Sequence, residues 1–75
     1  MITVRYFAGA RAAAGVSEES MPAGTTLGQL GAGRAGLEKV LLSASFLVDG
    51  LAWHDRHAPL PAGVTVDVLP PFAGG

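Results

Sequence analysis

Residues 2 to 7, Ile-Thr-Val-Arg-Tyr-Phe, alternate strictly, with Ile2, Val4 and Tyr6 on one face and Thr3, Arg5 and Phe7 on the other. Successive strand residues point to opposite faces, so this period of two predicts a half-buried strand. Val64 to Leu69 alternates in the same way, Val64, Val66 and Val68 against Thr65, Asp67 and Leu69, and Pro70-Pro71 then removes two backbone donors and ends the strand. Between them, Ala8 to Ala14 is alanine-rich and is followed by Gly15, which predicts a helical turn or two with a left-handed cap. Val16 to Met21 reads as a strand and Pro22-Ala23-Gly24 as a loop. Thr26 with Gln29 three residues later is a capping box, and Leu27, Leu30, Leu37, Val40, Leu41 and Ala44 recur near helical spacing as its buried stripe. Gly28, Gly31, Gly33 and Gly36 each cost about 1 kcal/mol relative to alanine inside a helix. The expectation is therefore two short helical pieces with a turn near Gly33 to Gly36. Phe46-Leu47-Val48, Asp49-Gly50 and Leu51-Ala52-Trp53 form a hairpin with a type I′ turn. This order predicts an α+β fold, a mixed sheet covered on one face by the main helical segment.

Composition narrows what such a sheet can do. Seventy-five residues leave room for one small core, here residues 1–71, with 72–75 as a flexible tail. With no cysteine, thiolate zinc sites and cysteine nucleophiles are excluded. Five Lys and Arg against six Asp and Glu supply too little positive field for nucleic acid or an anionic membrane. No stretch approaches the roughly 18 apolar residues of a membrane span, and the chain reads as soluble and cytoplasmic.

The candidate chemistry sits at the end of the chain. With 11 glycines in 75 residues, a Gly-Gly ending arises by composition roughly 2% of the time. A functional reason accounts for both: without Cβ atoms Gly74 and Gly75 can thread a narrow channel and leave the Gly75 carboxylate open to attack. Pro70-Pro71 stiffens the base of the tail, and Phe72, Ala73, Gly74 and Gly75 reach at most about 13 Å beyond it. The chain has no Gly-rich phosphate loop with its lysine, so activation of the carboxylate must come from a partner.

Tyr6-Phe7-Ala8 with Arg11 and Gly15, Thr26-Leu27-Gly28-Gln29-Leu30, Phe46-Leu47-Val48-Asp49-Gly50, Pro59-Leu60-Pro61-Ala62-Gly63 and Pro70-Pro71-Phe72-Ala73-Gly74-Gly75 resemble the MoaD/ThiS sulfur carriers. The Pro-Pro-x-small-Gly-Gly ending is similar to the branch of the molybdopterin synthase small subunit. The resemblance covers the whole chain and implies a ubiquitin-like β-grasp fold. It also implies that an E1-like enzyme adenylates Gly75 with ATP, that a thiocarboxylate is then formed, and that the large synthase subunit uses its sulfur for the molybdopterin dithiolene. No autonomous catalysis, bound cofactor or metal is expected of the chain. If the two end strands pair in parallel, Phe7 and Leu69 fall together beside the tail as an exposed docking patch. The resemblance adds Leu60, with Pro70, Pro71, Phe72, Ala73 and Gly74, to the partner-binding set. A ubiquitin-like modifier, a carrier for thiamine or cysteine synthesis, and a plain interaction module stay open as alternatives. The remaining chemistry-bearing residues have ordinary readings. His54 and His57 lack further metal ligands nearby, Glu18 and Glu19 point to opposite strand faces, Trp53 closes one end of the core, and Lys39 is the only lysine.

Overall fold

In the computed structural model, which describes residues 1–71, the alternating segments become the sheet. Strands β1 (Ile2–Tyr6), β2 (Glu18–Met21), β3 (Ser45–Val48), β4 (Leu51–Ala52) and β5 (Thr65–Leu69) are arranged in the order β2-β1-β5-β3-β4. The two end strands lie side by side and parallel, and every other pair is antiparallel. A parallel pair needs a long crossover, and here nearly the whole chain lies between its two members. Helices α1 (Ala8–Ala14) and α2 (Ala35–Leu41) belong to that connection, together with a short 3-10 helix at Leu27–Gln29. Their apolar residues Ala10, Leu27, Leu30, Leu37 and Leu41 meet Ile2, Val4, Tyr6, Phe46, Val66 and Val68 of the sheet in one core. No charged side chain is buried among the described residues, and the core's one hydroxyl, on Tyr6, is hydrogen-bonded to Glu19. This is the β-grasp arrangement, with the sheet's opposite face left open. No helix among the described residues is long and apolar enough to cross a membrane.

Local signals set most boundaries. Helix α1 stops at Gly15, whose N–H bonds to the Arg11 carbonyl at 2.9 Å. The Asp49-Gly50 turn has φ of 48° and 82°, the two positive values that a type I′ turn demands and that glycine adopts without strain. The Asp49 carboxylate accepts the Thr65 N–H at 2.8 Å, tying the hairpin to the start of β5. At Thr26 the Gln29 side chain accepts the backbone N–H at 2.9 Å, as a capping box requires, yet the helix it opens is a single 3-10 turn. The interruption spans Leu30 to Arg34, slightly ahead of the expected Gly33 to Gly36, and Gly36 lies within the first turn of α2. Strand β2 begins at Glu18 and not Val16, and Trp53 only packs partly against the core while its indole N–H bonds to the Asp55 carbonyl.

Two arginines replace hydrogen bonds that this broken connection leaves unmade. Arg56 donates to the Leu41 and Ala44 carbonyls at 2.6 and 3.2 Å, capping the C-terminal end of α2, and its guanidinium lies 4.9 Å from the centre of the Phe46 ring. Arg34, just before α2, donates to the Leu30 carbonyl and to Glu19, both at 2.8 Å, and the Tyr6 hydroxyl donates to the same carboxylate. Burial pushes the Tyr6 hydroxyl up to about 12, helped by its hydrogen bond to Glu19 and that residue's charge and opposed by Arg34. Burial pulls Glu19 upward, but the hydrogen bonds from Arg34 and Tyr6 and the Arg34 charge outweigh it and hold the carboxyl below its ordinary value. A raised tyrosine contributes stability that is fully present below its unfolded value near 10 and is lost as pH rises through about 12. The Glu19 contribution has the opposite sense, present above its unfolded value of 4.5 and lost as pH falls through the depressed one. Urea midpoints of the wild type should therefore fall across the alkaline window, and Tyr6→Phe should flatten that fall. Parallel curves for the two proteins would contradict the assignment.

Candidate functional site

The register of β1 with β5 builds the site. Thr3, Arg5 and Tyr6 stand beside Thr65, Asp67 and Val68, so continuing the register sets Phe7 level with Leu69. The Phe7 N–H donates to the Val68 carbonyl at 3.3 Å, which holds the two strand ends together. Phe7 is 40% exposed, and Leu69 is half-buried and outside the core cluster. Neither completes the core. Ser45 of β3 lies on the far side of Leu69. Pro70 and the exposed Pro71 come directly after it, so the tail begins at this apolar corner of the open face. Phe72, Ala73, Gly74 and Gly75 lie outside the described residues.

Leu60 needs correction. Expected at the docking surface, it is 1% exposed and belongs to the core. Its N–H donates to the Thr25 carbonyl at 3.0 Å and its carbonyl accepts from Gly24 at 2.9 Å. That backbone clasp turns the proline-flanked loop inward and buries the leucine, which gives a partner no apolar surface there.

A polar row crosses the open face one step back from the apolar corner. Cross-strand pairing sets Glu18, Arg5 and Asp67 side by side, with the apolar Leu47 beyond Asp67. Arg5 bonds to Asp67 through two nitrogens, Nε to Oδ1 at 2.6 Å and a terminal nitrogen to Oδ2 at 2.9 Å. The hydrogen bond to Asp67 and its charge hold the Arg5 guanidinium above its ordinary value, against burial and with a smaller contribution from Glu18. Sequence pattern alone did not pair these residues, although Thr-Arg-Phe and Thr-Asp-Leu carry opposite charges at matching places on two strands expected to be parallel.

The other candidates stay apart from this corner. His54 and His57 are exposed, and among the described residues no three His, Cys, Asp or Glu are grouped to hold a metal ion. Glu18 and Glu19 diverge as expected, Glu18 beside Arg5 and Glu19 toward Tyr6 and Arg34. A shallow depression of about 490 Å³ beside α2 is lined by Gly33, Arg34, Ala35, Glu38, Lys39 and Leu42, none of them from the β1–β5 corner.

Comparison with known proteins places the architecture. No family model matches the chain, and no curated protein matches it. Among solved structures, it is similar to a chain in the complex of subunits 1 and 2 of molybdopterin-converting factor from Helicobacter pylori, with 23% identity, TM-score 0.69, and coverage of 99% of this chain and 97% of that one. The small archaeal modifier SAMP1 of Haloferax volcanii is similar at 22% identity and TM-score 0.71, with 99% and 98% coverage. A putative molybdopterin-converting factor subunit 1 from Pyrococcus furiosus is similar at 25% identity and TM-score 0.65, with 93% and 95% coverage. The structural neighbours are thus molybdopterin-converting-factor chains and small archaeal modifiers, matched over 93–99% of the chain.

Proposed function

We propose that this chain is a sulfur carrier and the small subunit of molybdopterin synthase, with the Gly75 carboxylate as its reactive group. The observation that carries the reading is a Gly-Gly ending placed a few residues after the central strand of this fold, starting from the apolar corner at Phe7 and Leu69. A carboxylate is a poor electrophile, so an E1-like partner first joins Gly75 to the α-phosphorus of ATP and releases pyrophosphate. A hydrosulfide-level nucleophile, HS⁻, then attacks the acyl carbon, AMP leaves with the electron pair of the broken C–O bond, a proton is lost, and the resulting terminal thiocarboxylate carries the sulfur to the large synthase subunit for the dithiolene. The chain supplies the acyl group and the docking surface, Phe7, Leu69, Pro70, Pro71, Phe72, Ala73 and Gly74. It binds no cofactor in this scheme, and ATP belongs to the activating partner. The crystallised complex of converting-factor subunits 1 and 2 supports a hetero-oligomeric partner of this kind.

A second reading is favoured by the SAMP1 likeness: a modifier whose activated Gly75 acylates a lysine on another protein. Intact mass spectrometry of the protein from cells separates them. A carrier shows one oxygen replaced by sulfur, a modifier appears in heavier conjugates, and a chain showing neither defeats both readings. Loss of the protein should abolish molybdoenzyme activity and spare thiamine and cysteine synthesis, whereas a requirement for either nutrient would assign the carrier to that pathway.

The docking corner has its own expected result. Leu69→Asp should cost under about 1 kcal/mol of folding stability, since Leu69 lies outside the core, and should weaken binding of the large subunit by about 1 kcal/mol or more, that is, about fivefold or more. Urea denaturation and calorimetric titration measure both, and an unfolded or fully binding variant would show the corner to be misassigned.

A further inference from the structure

Phe7 carries an exposed aromatic ring, and the structure holds it from several sides. Its N–H donates to the Val68 carbonyl, and its own carbonyl accepts the N–H groups of Ala10 and Arg11 at 3.0 and 3.4 Å as α1 begins. Phe7 itself is extended, at φ −119° and ψ 149°, and the chain turns from strand to helix at Ala8, which is left-handed at φ 49°. Alanine has no intrinsic preference for that region, so the surrounding bonds impose it, and such imposed residues cluster at functional sites. With the backbone fixed, only rotation of the side chain is left to the ring.

The polar row supplies that last restraint. Arg5 and Phe7 project from the same face of β1, and the Arg5 guanidinium carbon lies 5.8 Å from the centre of the Phe7 ring, within cation–π reach. An arginine half exposed to water samples many rotamers unless something fixes it, and Asp67 grips this one at two points. Asp67 is itself well shielded, at 14% side-chain exposure, between β1 and β3. Glu18, the other carboxylate level with Arg5, makes no such fork. The restraint thus runs from the central strand β5 through Asp67 and Arg5 to the ring.

We propose that Asp67 and Arg5 are positioning residues that hold the Phe7 ring in place as the anchor of the docking corner for the large subunit. The idea rests on the partner reading above and adds to it a mechanism of pre-organisation. A ring already held in its bound rotamer loses less conformational freedom on docking.

The test is a double-mutant cycle on the full chain with its cognate large subunit, using Phe7→Ala, Asp67→Asn and the pair together. Phe7→Ala should weaken binding by about tenfold or more, and Asp67→Asn by about twofold to fivefold. The double variant should bind no more weakly than Phe7→Ala alone, because Asp67 acts through a ring that is no longer there. Arg5→Lys keeps the charge, loses the flat fork, and should behave like Asp67→Asn. A structural role alone would give additive losses, and additive losses or wild-type binding by Asp67→Asn would overturn the proposal. Three-bond couplings across the Phe7 side chain provide a readout without a partner. They should report one rotamer in the wild type and averaging in Asp67→Asn and Arg5→Lys, and unchanged couplings would overturn the positioning role whatever the chain binds. If the wild type fails to bind the large subunit, the docking reading falls and these couplings still decide whether the ring is held.

Discussion

Deleting Gly75, or adding one residue after it, should abolish adenylation of the chain while leaving its unfolding curve unchanged. Every residue of the described core cluster lies between Ile2 and Val68, and Gly75 stands four positions beyond Pro71, so no loss of stability is expected from the change. One residue of extended chain spans about 3.5 Å, so the carbonyl offered to the activating enzyme would be displaced by about that much. Displacement of a reacting group by even 1 Å can cost about a hundredfold, so a shift of one residue should reduce activation by at least that factor. Pyrophosphate release by the activating enzyme measures it. Normal release with either variant would show that the terminal carboxylate is not the group activated.

Gly31→Ala should be the most damaging of the glycine substitutions in the helical connection, at about 2–3 kcal/mol. A Cβ built on Gly31 would lie 2.8 Å from the Glu38 Cα, 3.0 Å from the Glu38 nitrogen and 3.0 Å from a Leu41 methyl. Two of those neighbours are backbone atoms of α2 and cannot swing aside as a side-chain tip would. The methyl group would push the turn after the 3-10 helix away from α2 and open the core around Leu27, Leu30 and Leu37. Gly36 is the matched control: it lies in α2 with nothing within 4 Å of an added Cβ. Gly36→Ala should gain about 0.5–1 kcal/mol through helix propensity alone. Urea denaturation of the two variants should move the midpoint in opposite directions, and equal shifts would refute the packing argument.

These two glycines show where sequence reasoning reaches its limit. Gly31 and Gly36 look alike in the chain and carry the same local cost in a helix, which correctly predicted that the segment would break. What separates them is an approach between two backbones, and no pattern within the segment encodes it. Leu60 failed for the same reason. Its place at the docking surface was only what the family resemblance implied, whereas hydrogen bonds to Gly24 and Thr25, more than thirty positions earlier, turn it inward. The placement of Phe7 and Leu69 side by side outside the core was legible because alternation assigns faces and parallel pairing assigns ends. The fork that holds Phe7 depended on the additional fact of register.

Local pattern was enough for the strands, the Asp49-Gly50 turn, the cap at Gly15, the apolar stripe and the Gly-Gly ending, because periodicity, backbone sterics and a terminal group act over a few residues. It took the folded chain to make Leu60 core, to deny Gly31 a side chain, to close the end of α2 with Arg56, and to bring Asp67 to Arg5. Each of these is a meeting of groups separated in the chain, governed by which surfaces the folded sheet and its helices bring within a few ångströms of one another.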